Sequence, residues 1–408
     1  MFSLRWIVIS LTLSLILAAC TSAASPTESP AEPNVPEPEP VEEASPEPPA
    51  EELPAEAESL PADEPPPSGA AAQFSTDFSK HSVSYGDILS GGPPKDGIPA
   101  IDSPSYVSID EANEWINDIE PIIAVEVEGL ARAYPLQILT WHEIVNDVLN
   151  EKELVVSFCP LCNTAIAFER EFDGQILDFG TTGRLRYSNL IMYDRQSETW
   201  WQQATGDGIA GEYTGEQLTF YPAAMISWAD FKSQYPDGDV LSKDTGFSRS
   251  YGQNPYAGYD DISQKPFLFD GEYNDKLPPM ERVLTVELND ETVAYTYTTL
   301  EEMGAINDEV GGEDIVVLWT EGTASALDEG LIELGRDVGA AVAYSSQGHT
   351  FITKEGVIYD EATGSEWNIF GEAVEGELVG EALLPVVSVN HFWFSWAAFK
   401  PETRVYQP

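Results

Sequence analysis

From residue 122 the chain reads as short apolar strands punctuated by turns. Ile122 to Val127 and Leu130 to Pro135 carry alternating apolar residues on either side of Glu128-Gly129, which predicts a hairpin with one buried face. Ile138, Trp141, Ile144, Val145 and Val148 then recur at helical spacing, which predicts one amphipathic segment over about 136–148. Leu154 to Phe158 is a buried strand, Ala165 to Phe168 another, and an aromatic helix closes the run near Ile226 to Tyr235. Strands dominate and a few short helices pack on them, so the fold class is β-rich α+β.

The pattern returns further along. At an offset of 161, Ala133-Tyr134 matches Ala294-Tyr295, Leu139 matches Leu300, Asn146-Asp147 matches Asn307-Asp308, and Val155-Val156 matches Val316-Val317. Tyr193-Asp194 and Trp201 answer Tyr359-Asp360 and Trp367 at 166, and Gly206, Gly211, Gly215 and Leu218 answer Gly371, Gly376, Gly380 and Leu383 at 165. The units close alike, Ser227-Trp228-Ala229 against Ser395-Trp396-Ala397. Order, spacing and rare Trp positions agree, so the expectation is two tandem copies of one mixed β unit. The organisation reads as an opening segment over 73–118, a first repeat over 119–242, a Gly/Pro-rich connection with Tyr251, Tyr256 and Tyr259 over 243–280, and a second repeat over 281–408.

The first 72 residues belong to neither copy. Arg5, the apolar run Trp6 to Leu17 and then Leu17-Ala18-Ala19-Cys20 form a secretory leader over 1–20 of the bacterial lipoprotein type, which predicts acylation of Cys20 and attachment to the outer face of a lipid bilayer. The run is shorter than the ~20 residues that a spanning helix needs. Residues 21–72 are Pro, Glu, Ala and Ser with thirteen acidic residues and no Lys or Arg, the composition of a disordered, self-repelling stalk.

Charge narrows the partners. The formal net charge is -51, and beyond leader and stalk 57 acidic residues still face 18 basic ones. That argues against nucleic acid and anionic membrane surfaces as binding partners, because phosphate contacts need clustered Lys and Arg. Arg184, Arg186 and Arg195 are the candidate contacts for a small anion in an otherwise acidic chain, weighed against ordinary salt-bridged arginines.

The candidate chemistry is Cys159-Pro160-Leu161-Cys162, two of three cysteines in 408 residues. The second copy lacks it: at the 161 offset His142 becomes Met303, Glu143 becomes Gly304, Cys159 becomes Thr320 and Cys162 becomes Thr323. These four residues are therefore dispensable for the fold of a unit. A structural disulfide suits an extracytoplasmic compartment, yet closing so short a loop stabilises by only about 2 kcal/mol before strain. A thioredoxin-like pair needs its first Cys at a helix N-terminus, whereas this pair sits between strands. A metal knuckle fits better, with Asn163 suited to the left-handed corner that follows.

Such a knuckle supplies two ligands where a tetrahedral site takes four, or three and an open position. His142 is the natural third, and Met192, Glu143 or water the fourth. Soft ligands favour copper or zinc, and Met192 favours copper, although alternation within Asn189 to Asp194 makes Met192 an ordinary strand residue. A zinc deaminase also combines His, Glu and Pro-Cys-x-x-Cys, but here His142 and Glu143 are adjacent and Pro160 lies inside the pair. A Cys-His nucleophile is a third chemistry, and a ligand-binding surface module with a merely structural Cys159-Cys162 bridge a fourth.

The run Gly91 to Ala100, Trp141-His142-Glu143, Cys159-Pro160-Leu161-Cys162-Asn163, and Ser188 to Arg195 followed by Trp200 and Gln202 resemble the bacterial family called domain of unknown function 3179. The resemblance covers about residues 80–408. The family usually has Gly after the second Cys and Leu-Trp before the Gln, where this chain has Asn163 and Trp200-Trp201. The resemblance implies no activity, since the family has none assigned.

Overall fold

The computed structural model of the chain describes residues 64–408. The leader, Cys20 and residues 21–63 of the stalk lie outside the described residues. The last part of the stalk segment is packed against the fold. Glu64 accepts hydrogen bonds from Ser84 Oγ at 2.9 Å and from the backbone N–H groups of Tyr85 and Gly86. Ala70, in a short turn of helix, is buried with Phe74, Tyr193 and Trp200. The folded body thus begins before residue 73; composition missed this because the partners that order Glu64 and Ala70 come from elsewhere in the chain.

The hairpin forms as expected. Pro121–Val127 pairs with Leu130–Pro135, and Glu128 and Gly129 both take positive φ, 50° and 88°. Two left-handed residues make the turn whose twist matches that of its strands.

The amphipathic segment divides. Only Leu136–His142 is helical; Glu143 turns the chain at φ 60°, and Ile144–Leu149 is a strand paired with Lys152–Cys159. Ile144, Val145 and Val148 are β-branched and fit a pleated surface better than a helix. Once the chain reverses at Glu143, their spacing means something else: Ile144 and Val145 are buried and Val148 is exposed. The strands expected at Leu154 to Phe158 and Ala165 to Phe168 are Lys152–Cys159 and Thr164–Glu169, and the closing helix is Trp228–Gln234, capped by Ser227, whose Oγ accepts from Asp230 N–H.

The first five of these elements recur with every bound shifted by 161. The strands Arg282–Leu288 and Glu291–Thr296, the helix Tyr297–Met303 and the strands Ala305–Val310 and Glu313–Thr320 follow one another as their counterparts do. Hydrogen bonds recur too. Asn146 brackets the backbone of Phe179 and Asn307 that of Phe351, each accepting from its N–H and donating to its C=O. Tyr134 donates to Asp147 as Tyr295 does to Asp308.

One pairing made on sequence needs correcting. Trp228 N–H donates to Glu120 O and Trp393 N–H to Glu281 O, so Trp228 corresponds to Trp393 and not to Trp396. Three residues are nearly one helical turn, so a Trp displaced by three presents almost the same face.

One sheet joins the two halves. Its order is Ile144–Leu149, Lys152–Cys159, Thr164–Glu169, Ser388–Phe392, Arg282–Leu288, Glu291–Thr296 and Arg404–Val405, with Asn390 opposite Ala165 at the junction. A second sheet carries the first hairpin between Ala224–Ser227 and Asp239–Leu241. A third runs Ile88–Ser90, Phe179–Arg186, Asn189–Asp194, Trp200–Gln202 and Gly208–Ala210. The connection over 243–280 holds no described helix or strand and lies over the first-half helix and the Cys turn through Tyr251, Tyr256 and Tyr259. No helix among the described residues is long and apolar enough to cross a membrane.

Candidate functional site

The strand Lys152–Cys159 delivers Cys159 to the end of a hairpin, where Cys159 pairs with Thr164. Pro160 starts a single helical turn, Pro160–Cys162, a position at which its missing N–H costs no hydrogen bond. Asn163 then takes φ 52°, ψ 35° and donates its N–H to Pro160 O at 3.3 Å, the left-handed corner that the sequence predicts. Both cysteines are buried free thiols. Cys159 Sγ lies 3.8 Å from Ser188 O, and Cys159 and Cys162 sit in one apolar cluster. Burial, and then Cys162, push the Cys159 thiol well above its usual range. A thiol so held is a weak nucleophile, since the thiolate is the reactive form.

His142 ends the helix that precedes this strand, and both of its ring nitrogens are engaged. Nδ1 lies 2.8 Å from Pro99 O, and Nε2 lies 2.7 Å from the Tyr251 hydroxyl. A carbonyl can only accept, so Nδ1 carries the proton and Nε2 accepts from Tyr251. Burial lowers the His142 pKa, which the bond to Pro99 opposes and the charge of Arg249 reinforces. No ring lone pair is left for a metal or a thiol. Among the described residues no three His, Cys, Asp or Glu side chains are grouped to hold a metal ion, so Cys159, Cys162 and His142 are not gathered into one donor set.

Glu143 is the neighbour that does approach the pair. Its carbonyl accepts from Phe158 N–H at 2.9 Å, which sets it beside the strand end carrying Cys159. Its carboxyl is buried and has no hydrogen-bond partner among the described residues; burial, and then Cys159, raise its pKa well above the usual carboxylate range. Its left-handed backbone is strained for a non-glycine residue. In the other half the same corner is Gly304, at φ 69°, where a Cβ would meet Thr353 Oγ1 at 2.5 Å. Met192 is fully buried opposite Thr181 and Trp201, within the same apolar cluster as the two thiols.

The three arginines part company. Arg195 pairs with Asp102 at 2.6 Å and Asp96 at 3.7 Å, and Arg186 reaches Asp87 at 4.0 Å while stacking over Tyr187. Arg184 has no carboxylate partner among the described residues. It follows a β-bulge in which Gly183 takes φ 69°, and Arg184 N–H bonds to Thr182 Oγ1 at 3.1 Å. Bulges re-aim the next side chain. Arg184 Nη2 donates to Ser68 O at 2.7 Å, and its buried Nε has no partner among the described residues.

Arg184 and Glu143 line one cavity of ≈ 120 Å3, with Leu161, Leu190, Tyr256 and Phe267 among its other walls. Tyr256 and Tyr259 pack against the apolar cluster that holds both thiols. Both tyrosines, and Tyr251, come from the connection, whose composition marked it as aromatic without marking any of them as part of the site. The usable signal was the Glu143/Gly304 pair, since a glutamate standing where its counterpart needs a glycine is out of place for the backbone.

Residues 95–403 match the model of a family described as "Protein of unknown function (DUF3179)". No curated protein and no solved structure matches the chain.

Proposed function

We propose a function for a chain that belongs to this family of unknown function, DUF3179: a membrane-tethered extracytoplasmic lipoprotein whose Cys159-Cys162 pair holds copper(I) between two thiolates. The observation that carries the reading is two buried free thiols at the two ends of one apolar turn, with no third His, Cys, Asp or Glu donor grouped with them among the described residues. A structural zinc takes four ligands and a catalytic one takes three, so the donor set favours the softer ion, to which two thiolates are well matched. Coordination would supply a charge partner for thiolates that burial otherwise disfavours. His142, with both nitrogens engaged, supports neither a third ligand nor a Cys-His nucleophile.

The tether belongs to the same proposal and rests on the leader and Cys20. So does the reading of two tandem copies, supported by element bounds that repeat at 161 and by the recurring Asn146 and Asn307 brackets. In those terms the second copy keeps the scaffold without the thiols.

The test is an anaerobic titration of the purified full-length protein with copper(I) against a chromophoric chelator. One ion per chain is expected, lost in Cys159→Ser and in Cys162→Ser and kept in His142→Gln. No stoichiometric binding by the reduced wild type would end the reading; thiols that are absent until a reductant is added would favour the structural disulfide. For the tether, Cys20→Ser should move the protein from the membrane fraction to the soluble one.

A further inference from the structure

Cys159 is 2 % exposed and Cys162 0 %, so nothing in solution reaches either sulfur unless a neighbouring element moves. Strands supply part of their surroundings: Lys152–Cys159 is laddered to Ile144–Leu149 and to Thr164–Glu169, and Phe179–Arg186 to Asn189–Asp194. The connection supplies another part, since Tyr256, Tyr259, Leu268 and Phe269 pack against the apolar cluster of the thiols. It holds no described helix or strand, and Asn254, Asp260, Pro266 and Met280 are the only residues over 243–280 that are buried. Little buried surface and no ladder mark the part of a fold that opens at least cost.

The connection is attached unevenly. Towards the second half it is held by backbone: Asn254 N–H donates to Gly330 O at 3.1 Å, Tyr259 N–H to Leu327 O at 3.2 Å, and Gly252 O accepts from Ile332 N–H at 3.0 Å. Its buried Asp260 is gripped there by Arg282 at 3.2 Å, by Arg336 at 2.9 Å and by Ser325 Oγ. Towards the half that carries the thiols, residues 251–269 make no backbone–backbone hydrogen bond among the described residues. Three side chains fasten them instead: the Tyr251 hydroxyl at 2.7 Å from His142 Nε2, Trp141 Nε1 donating to Gln253 O at 3.2 Å, and Ser188 Oγ donating to Phe267 O. Ser188 is also the residue whose carbonyl meets Cys159 Sγ. On this side the packing is incomplete, for Glu143 and Leu161 of the first half and Tyr256, Phe267 and Leu268 of the connection line one cavity of ≈ 120 Å3, about the volume of four liquid waters. We propose that residues 251–269 form a lid, which stays anchored on the second half and parts from the first to admit an ion to Cys159 and Cys162. The lid deepens the copper reading, since an ion has to reach the sulfurs, but its test needs no metal.

The experiment follows the alkylation of Cys159 and Cys162 by iodoacetamide in the reduced, metal-free full-length protein, read by peptide mass spectrometry so that Cys20 is scored apart. Both sites should label slowly, at a rate that urea below the unfolding transition hardly changes, because parting a lid exposes little surface. Tyr251→Phe, which loses one fastening, should label about tenfold faster. Trp141→Phe, which loses another at a half-buried position, should label faster as well. Arg404→Met, which loosens the second half away from the connection, should label as the wild type does. A rate that climbs with urea as steeply as global unfolding would overturn the lid. So would labelling of the wild type as fast as that of the urea-unfolded chain, wild-type labelling in Tyr251→Phe, or an equal acceleration in Arg404→Met. Should Tyr251→Phe fail to fold, Trp141→Phe decides. A failed copper titration with these labelling results would end the copper reading and leave the lid, and the reverse pair of results would do the opposite.

Discussion

The hydroxyl of Tyr251 lies 2.7 Å from His142 Nε2 and 2.6 Å from Thr245 Oγ1. A residue of the connection thereby takes the one lone pair that His142 has to offer. Tyr251→Phe would leave Nε2 buried and unpaired at a cost of about 1–3 kcal/mol. Urea unfolding should show that loss, while the copper(I) stoichiometry stays at that of the wild type. A variant as stable as the parent would mean that the hydroxyl is not the partner of His142.

The buried ion pair of the first half should be far more sensitive than its counterpart. Arg132 Nη1 lies 2.9 Å from both carboxylate oxygens of Asp147, which also accept from Tyr134 and Tyr106. Arg132→Met strands that carboxylate in the interior and should cost about 3–5 kcal/mol. Arg404, which serves Asp308 and Glu291, is 40 % exposed, so Arg404→Met should cost about 1 kcal/mol or less. Equal losses in chemical denaturation would refute the assignment.

Glu143→Gly should stabilise the protein. The substitution relieves a left-handed glutamate, worth roughly 1 kcal/mol, and removes a buried carboxyl without a hydrogen-bond partner among the described residues. A raised melting temperature is the expected result, and a lowered one would show that the carboxyl supports the fold.

His391 sets a dependence on acid. Its ring lies 2.8 Å from Thr164 Oγ1 at Nδ1, its Nε2 has no partner among the described residues, and burial pushes its pKa down to about 3. Below its unfolded value near 6.5 the unfolded chain takes up a proton that the folded chain refuses. Its contribution is therefore whole above pH 6.5 and is lost as pH falls towards 3. The stability difference between wild type and His391→Gln should shrink below pH 6.5 by up to about 1.4 kcal/mol per unit. A constant difference from pH 7 to 4 would contradict this.

Legibility followed locality. The Glu128-Gly129 turn, the strand into Cys159 and the left-handed Asn163 depend on residues a few positions apart, and each was readable. The helix over 136–148 was half wrong because the apolar spacing of Ile144, Val145 and Val148 serves either element. The decision fell to the ladder with Lys152–Cys159, which spacing cannot display. The 161 offset carried over to the bounds of five consecutive elements, but the Trp match slipped by one helical turn where only backbone hydrogen bonds could fix the register.

The sequence by itself determined the β-rich class, the repeated order of elements, the Cys turn and the confinement of His142, Glu143, Cys159 and Cys162 to one half. The tertiary structure alone decided what those residues meet. It gave His142 to Pro99 and Tyr251, buried Cys159 and Cys162 as free thiols in one apolar cluster, set Glu143 beside them, and gave Arg184 the carbonyl of Ser68 with no carboxylate among the described residues. Turns and periodicity are settled by neighbours along the chain. Desolvation and the choice of a hydrogen-bond partner are settled by whatever packs from a distance, here a connection and a stalk end whose compositions carry no mark of what they cover.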